Sequence, residues 1–171
     1  MTSTPSLRSG RLVLEPLRVE HAAEMATVLA DPALFTFTGG APPSRTVLEQ
    51  RYARQVAGSG GPTEQWHNWV VRLGDAGPAV GYVQATVRPA DHTGELAWVV
   101  GTPWQGRGIA REAAGLVLEH LLAGGEVTRV VAHVHPAHPA SQRVADALGL
   151  APTERLVDGE VEWLLERPGG G

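Results

Sequence analysis

The sequence predicts an α+β fold, a single domain around a mixed sheet of about seven strands flanked by about four helices. Three observations predict it. The front of the chain sets short alternating runs around two amphipathic stretches, and the back switches to helix, strand, helix and a closing hairpin. With 171 residues and 43% hydrophobic content, the chain can fill one core and does not need two, so the domain is taken as 1–171.

Each element has its own signal. "RLVLEPL" alternates and reads as a first strand. In "EHAAEMATVLAD", Ala22, Met25, Ala26 and Leu29 recur at helical spacing until Pro32 stops the helix. Ser44 can cap a second helix running to Gly58, with Leu48, Tyr52 and Val56 as its inner face. "WHNWVVRL" and "AVGYVQATV" read as a hairpin across "GDAGP", and "ELAWVV" follows as a fourth strand. These four strands make an antiparallel front half. Beyond Gln105 come a helix with Ile109, Ala113, Leu116, Val117 and Leu121 inward, the strand "RVVAHV", and a short helix "PASQRVADAL" ended by Gly149. "TERLV", the turn Asp158-Gly159 and "EVEWLLE" close the fold, and residues 168–171 read as a flexible tail.

Composition excludes several functions. A net charge of -4, with both signs scattered, offers no basic face for nucleic acid and no polybasic run for a membrane surface. No cysteine means no disulfide framework and no protein thiol for covalent catalysis. No apolar run reaches the roughly 20 residues of a spanning helix. "MTSTPSLRSG" lacks the core of a signal peptide, so a soluble, cytoplasmic protein is expected. All 14 basic residues are arginine, which with abundant Ala, Gly and Pro suggests a bacterial, GC-rich source.

The junction "QGRGIA", residues 105–110, carries the chemistry. Two glycines open a helix there, where free backbone N–H groups and the positive end of the dipole suit an anion such as a phosphate. A nucleotide-hydrolase phosphate loop requires a lysine, and the chain has none. A dinucleotide fingerprint requires a third glycine where Arg111 stands. What remains, Gln-x-x-Gly-x-Ala after "AWVV" and a Pro-Trp pair, resembles the acetyl-coenzyme A pyrophosphate loop of the GNAT N-acetyltransferase superfamily. Two further segments carry the resemblance. "SGRLVLEPLRVEHAAEMATVLADPALFTFTGG" looks like the opening of the ribosomal-protein N-terminal (RimJ/RimL-like) branch, and "VVAHVHPAHPASQRVADALGL" is similar to its distal signature.

The resemblance implies a GNAT fold with a V-shaped splay between the fourth and fifth strands. It implies that the pyrophosphate of acetyl-CoA lies on the backbone of Gln105, Gly106, Arg107, Gly108, Ile109 and Ala110, with Arg107 and Arg111 adding charge. The backbone of Trp98, Val99 and Val100 would hold the pantetheine amides as an added strand, with His138, which replaces the branch's asparagine, as a further contact. Glu95 resembles the family's general base, against the simpler reading of a solvated carboxylate; Asp158 and Glu160 are reserves. Where many relatives place a tyrosine acid, this chain has Ala145, so Ser141 is the choice for stabilising or protonating the thiolate, against a purely capping role. His133, His135 and His138 are close enough in sequence to suggest zinc, but no fourth ligand is evident and no metal is expected. The implied activity moves acetyl to a primary amine, either a protein N-terminus or a small or aminoglycoside-like amine. The alternative is a coenzyme A-binding module without catalysis. A homodimer is compatible with either.

Overall fold

A computed structural model of the chain describes residues 3–168. The expected flexible tail lies, from residue 169 on, outside the described residues. One sheet runs through the molecule in the order β1-β2-β3-β4-β5-β6-β8-β7. Its strands are β1 (Leu7–Arg8), β2 (Leu12–Pro16), β3 (Gln65–Leu73), β4 (Ala79–Arg88), β5 (Thr93–Val100), β6 (Arg129–Val134), β7 (Ala151–Val157) and β8 (Glu160–Glu166). The helices are α1 (Ala22–Val28), α2 (Arg45–Ala57), α3 (Ile109–Ala123) and α4 (Pro139–Ala147). Every junction is antiparallel except β5 beside β6, so the sheet is mixed as expected.

Two details differ from the sequence reading. The eighth strand, β1, pairs only Leu7 with Leu14 and Arg8 with Val13, too short a run to leave an alternating pattern. Val56 is not on the inner face of α2; it is 54% exposed, while Leu48 and Tyr52 are buried. From Leu48 the core-facing stripe steps to Tyr52 and then to half-buried Gln55, since seven residues make two helical turns and eight overshoot them. The cap at Ser44 forms as expected, its hydroxyl accepting from Val47 N–H at 3.2 Å.

Alternation along the strands gives the sheet two unlike faces. On one, Trp69, Val71, Val83, Ala85 and Leu96 pack beneath Ile109, Ala113, Val117 and Leu121 of α3. Ala132, Val134 and Trp163 continue that face beneath Ala145 of α4. On the other, α1 and α2 cover only the front of the sheet, burying Val70 and Ala79 with Met25, Leu48 and Tyr52. The rest of that face, through Asn68, Gln84, Glu95 and His133, is only half-buried, and Ala97 is exposed.

A charge network secures α1 to the sheet. Arg72, on β3, donates to Glu15 at 3.0 Å and to Glu24 at 3.0 Å, while Glu24 also accepts the Ala79 N–H at 3.0 Å and Glu15 meets His21 at 2.9 Å. Burial pushes the Glu15 carboxyl up, but hydrogen bonds from Arg72 and His21 outweigh it and hold it below its ordinary value. Arg72 does the same for Glu24 against a smaller cost of burial. Both groups are depressed in the folded state, so their stabilisation is complete above the ordinary carboxylate range, near pH ~4.3, and is lost as pH falls through the lower folded values. We predict that Arg72→Met costs about 3 kcal/mol at neutral pH. Urea unfolding from neutral to acid should show a shallower pH dependence in the variant than in the natural chain.

Candidate active site

The site begins where a ladder ends. β5 and β6 pair from Thr93 with Arg129 to Leu96 with Ala132, and no further. Past that point β5 stays on β4 through Val100, and β6 stays on β8 through Val134. A wedge opens between them, so the expected splay between the fourth and fifth long strands is present. Trp98 sits beside its apex and packs against both the α3 and the α4 core clusters. The indole fills the apolar side of the gap that the backbone leaves.

Strand geometry decides which peptide groups face the wedge. Gly101 N–H donates to Val80 O on β4 at 2.7 Å, and Val99 O lies so close to Gly81 that no side chain could fit there. Peptide groups alternate sides along a strand, so those of Val99 turn to β4 and those of Trp98 and Val100 turn into the wedge. Of the three residues expected to offer main chain to a ligand, Trp98 and Val100 thus face the wedge and Val99 faces β4. One of those groups is already engaged: Val100 O accepts from the side chain of Gln105 at 3.0 Å. That contact ties the loop to the strand.

The loop from Gln105 to Ala110 opens α3 as expected. Gly106 and Gly108 have φ of 78° and 74°, the left-handed region that costs a residue with a Cβ roughly 1–2 kcal/mol. This conformation sets the amides of Ile109, Ala110 and Arg111 ahead of the first helical bond, from Glu112 N–H to Gly108 O at 3.1 Å. Arg107 and Arg111 are exposed beside them.

A support absent from the sequence reading holds the loop. Arg11 donates to Arg107 O at 2.7 Å and to Glu112 at 2.6 Å, and Ser9 donates to Glu112 at 2.7 Å. Burial pushes the Glu112 carboxyl up, and the bonds from Ser9 and Arg11 outweigh it, leaving it below its ordinary value. The only sequence signal was an arginine before "LVLEPL"; its target, about a hundred residues away, was invisible.

Across the wedge, α4 begins at the end of β6. His138 caps it, its Nδ1 facing Ser141 N–H at 3.5 Å and its Nε2 facing Ser141 Oγ at 3.2 Å. Burial, with a smaller push from His135, lowers the His138 pKa and favours the neutral ring. If Nδ1 accepts from the backbone, the ring proton is on Nε2 and donates to Oγ. The hydroxyl's own proton is then free for another acceptor. Phe37, from the turn between α1 and α2, stacks on His138 at 4.4 Å and contacts His135 at 5.2 Å.

The three histidines do not converge. His135 and His138 meet Phe37, whereas His133 turns to Glu95, its Nδ1 3.1 Å from Oε1. Among the described residues no group of three His, Asp or Glu side chains is arranged to hold one metal ion. Glu95 is half-buried on the open face of β5. Asp158 and Glu160 lie at the β7–β8 turn, beyond the end of the β6 pairing and away from Glu95. Glu162, which the sequence reading passed over, is buried beside His133. Its position in the alternating "EVEWLLE" was the available signal.

A mixed sheet with a wedge between its parallel strands, and a glycine loop opening a helix at the wedge's mouth, defines a GNAT-type acyltransferase fold. The sequence profile of the Acetyltransferase (GNAT) domain matches residues 11–151, and the chain belongs to that family. Solved structures agree in fold. The ribosomal-protein-S5-alanine acetyltransferase from Vibrio fischeri is 17% identical, with a TM-score of 0.77 over 95% of this chain and 96% of its own. RimL, a ribosomal L7/L12 α-N-protein acetyltransferase solved with coenzyme A, is 14% identical with a TM-score of 0.77, covering 95% of this chain and 98% of its own. The Microcin C7 self-immunity acetyltransferase MccE, solved with acetyl-CoA and AMP, is 12% identical with a TM-score of 0.77, covering 93% and 94%. At these identities the likeness is one of fold. No curated protein sequence matches the chain. Among the described residues no helix is long and apolar enough to cross a membrane.

Gly108→Ala should destabilise the fold by about 1 kcal/mol in thermal unfolding. Arg11→Ala should speed hydrogen exchange at the amides of Arg107 to Ile109 while leaving the β3–β4 core protected.

Proposed function

We infer that the protein transfers an acetyl group from acetyl-CoA to a primary amine by direct attack within a ternary complex. The observation that carries this is the wedge: the strand edge at Trp98 and Val100, turned away from β4 and past the end of the β6 ladder, runs toward a helix start whose amides precede the first helical bond. When bound, acetyl-CoA supplies the carbonyl that the amine attacks and a thiolate leaving group.

The residues divide the work. Amides of the loop from Gln105 to Ala110 grip the diphosphate, aided by Arg107 and Arg111. Trp98 and Val100 pair with the pantetheine arm as a missing strand would. A backbone N–H in the wedge stabilises the oxygen that gains charge during attack. Glu95, at the apex on the open face, takes the proton from the ammonium form of the acceptor, freeing its lone pair. Ser141 gives its proton to the departing sulfur and regains one as the acylated nitrogen sheds its second proton, and His138 keeps that hydroxyl aimed by donating to its oxygen. With no cysteine in the chain, the acetyl group has no thiol on the protein to visit.

The acceptor reaches Glu95 across the uncovered face of the sheet, past Asn68 and Gln84. One solved structure of this fold is a ribosomal-protein-S5-alanine acetyltransferase and another a Microcin C7 self-immunity acetyltransferase, so both a protein N-terminus and a small amine belong in the test.

Thiol release from acetyl-CoA, measured against a panel of N-terminal peptides and small amines, should show turnover with at least one acceptor. A chain that binds coenzyme A and releases no thiol with any of them is a binding module instead. Glu95→Gln should lower kcat by about 10²-fold, and Ser141→Ala by about tenfold, with coenzyme affinity unchanged in calorimetry.

A further inference from the structure

We propose that His133, backed by buried Glu162, is a positioning and relay residue that makes Glu95 an effective base by drawing off the proton it collects. The inference rests on Glu95 being that base. Its ground is a row of three side chains on the open face, one from each of β5, β6 and β8.

Register builds the row. Glu95 lies opposite Val131, so His133 is the next residue of β6 on the same face and the first on that face beyond the last ladder pair, Leu96 with Ala132. His133 in turn lies directly opposite Glu162 on β8. The imidazole thus spans the apex of the wedge, with Nδ1 3.1 Å from Glu95 Oε1 and Nε2 3.5 Å from Glu162 Oε2. Nε2 is enclosed and makes no well-directed hydrogen bond. Glu162 is 6% exposed, and its charge is balanced by Arg155 at 3.7 Å and Arg129 at 3.9 Å, the latter also 3.7 Å from Glu166. On the β4 side Glu95 faces uncharged Thr86, and Arg88 is occupied by Asp91 at 4.0 Å.

Chemistry follows from counting protons. A neutral imidazole carries one N–H, yet here each ring nitrogen faces a carboxylate, which can only accept. One gap is therefore always one proton short. The buried, arginine-balanced Glu162 holds the resident proton on Nε2, which leaves the Nδ1 lone pair toward Glu95. A proton leaving the acceptor's ammonium for a Glu95 oxygen then passes to Nδ1. The resulting imidazolium stands between two carboxylates whose charges offset its own, and Glu95 is a carboxylate again. When the product departs, the proton returns to water through Glu95, whose side chain is 34% exposed.

The test compares His133→Asn and Glu162→Gln with the natural protein and Glu95→Gln, reading kcat/KM against pH. Circular dichroism and coenzyme A affinity serve as checks on folding. A base that has to be free of its proton makes activity fall on the acid side. Removing the imidazole should therefore move that limb to lower pH by about one unit or more and cut kcat by about tenfold. Glu162→Gln should move the limb the same way. A limb that stays in place in both variants, while Glu95→Gln abolishes it, overturns the relay and leaves the base intact. A limb that survives Glu95→Gln removes the base and the relay together. Nitrogen-15 spectra of the coenzyme A complex give a reading that needs no active variant: neutral His133 should carry its proton on Nε2, and a proton on Nδ1 overturns the proposal.

Discussion

The molecule is organised by backbone hydrogen bonds that stop. A parallel ladder four pairs long joins the antiparallel front of the sheet to its back, and then both strands continue while the ladder does not. Each strand keeps its other partner, so the peptide groups facing the gap have no strand opposite them, and Val100 O is met instead by the Gln105 side chain. Buried peptide groups left unpaired are costly, and a ligand with amides along its length removes that cost by standing in as the absent strand. The wedge is held apart by packing: Trp98 belongs to the α3 cluster on one side and the α4 cluster on the other.

The two strand ends leaving the wedge each feed a helix, so two helix starts converge on its mouth. Their equipment differs. α3 begins with two glycines in the left-handed region and presents bare amides, which suits a multiply charged group. α4 begins with His138 folded back on Ser141, which suits a single developing charge on one atom. Rigidity comes from elsewhere in each case: Arg11 reaches from the second strand to clamp the glycine loop, and Phe37 reaches from the α1–α2 turn to stack on the histidine cap. The front of the chain thus supports two functional loops to which it contributes no catalytic group.

Much of this was legible in the sequence because the signals were local. Alternation located seven of the eight strands, Ser44 located a cap, and the pair of glycines after "AWVV" located the turn that opens α3. The failures share a cause. Val56 was placed inward by counting eight residues from Leu48, where two turns of helix take seven and put Gln55 there. Val99 was grouped with Trp98 and Val100, although which side of a strand a peptide faces depends on its partner's register. The Arg11–Glu112 clamp and the His133–Glu162 pair join residues from distant parts of the chain or from neighbouring strands, and no spacing rule connects them. The three histidines of "HVHPAH" looked like one cluster because sequence proximity was all that could be seen; the strand's end at Val134 turns them to different neighbours.

The unlike faces of the sheet explain why the ionisable side chains of β5, β6 and β8 collect where they do. The α3 and α4 face is filled by Val, Ile, Leu and Trp, and a carboxylate there would be desolvated without a partner. The other face is covered by α1 and α2 only at the front, so past Val70 and Tyr82 the same alternation that builds the core elsewhere delivers polar side chains to water. Glu95, His133 and Glu162 all occupy that register, and exposure declines along the row, with side chains 34%, 20% and 8% accessible. A proton collected at the wet end therefore meets groups that are progressively better shielded and more strongly paired. The gradient arises from the position of each strand in the sheet: β5 borders the open wedge, whereas β8 lies between β6 and β7. Topology, before any particular side chain, thus makes one end of the row accessible to an acceptor and the other a fixed charge.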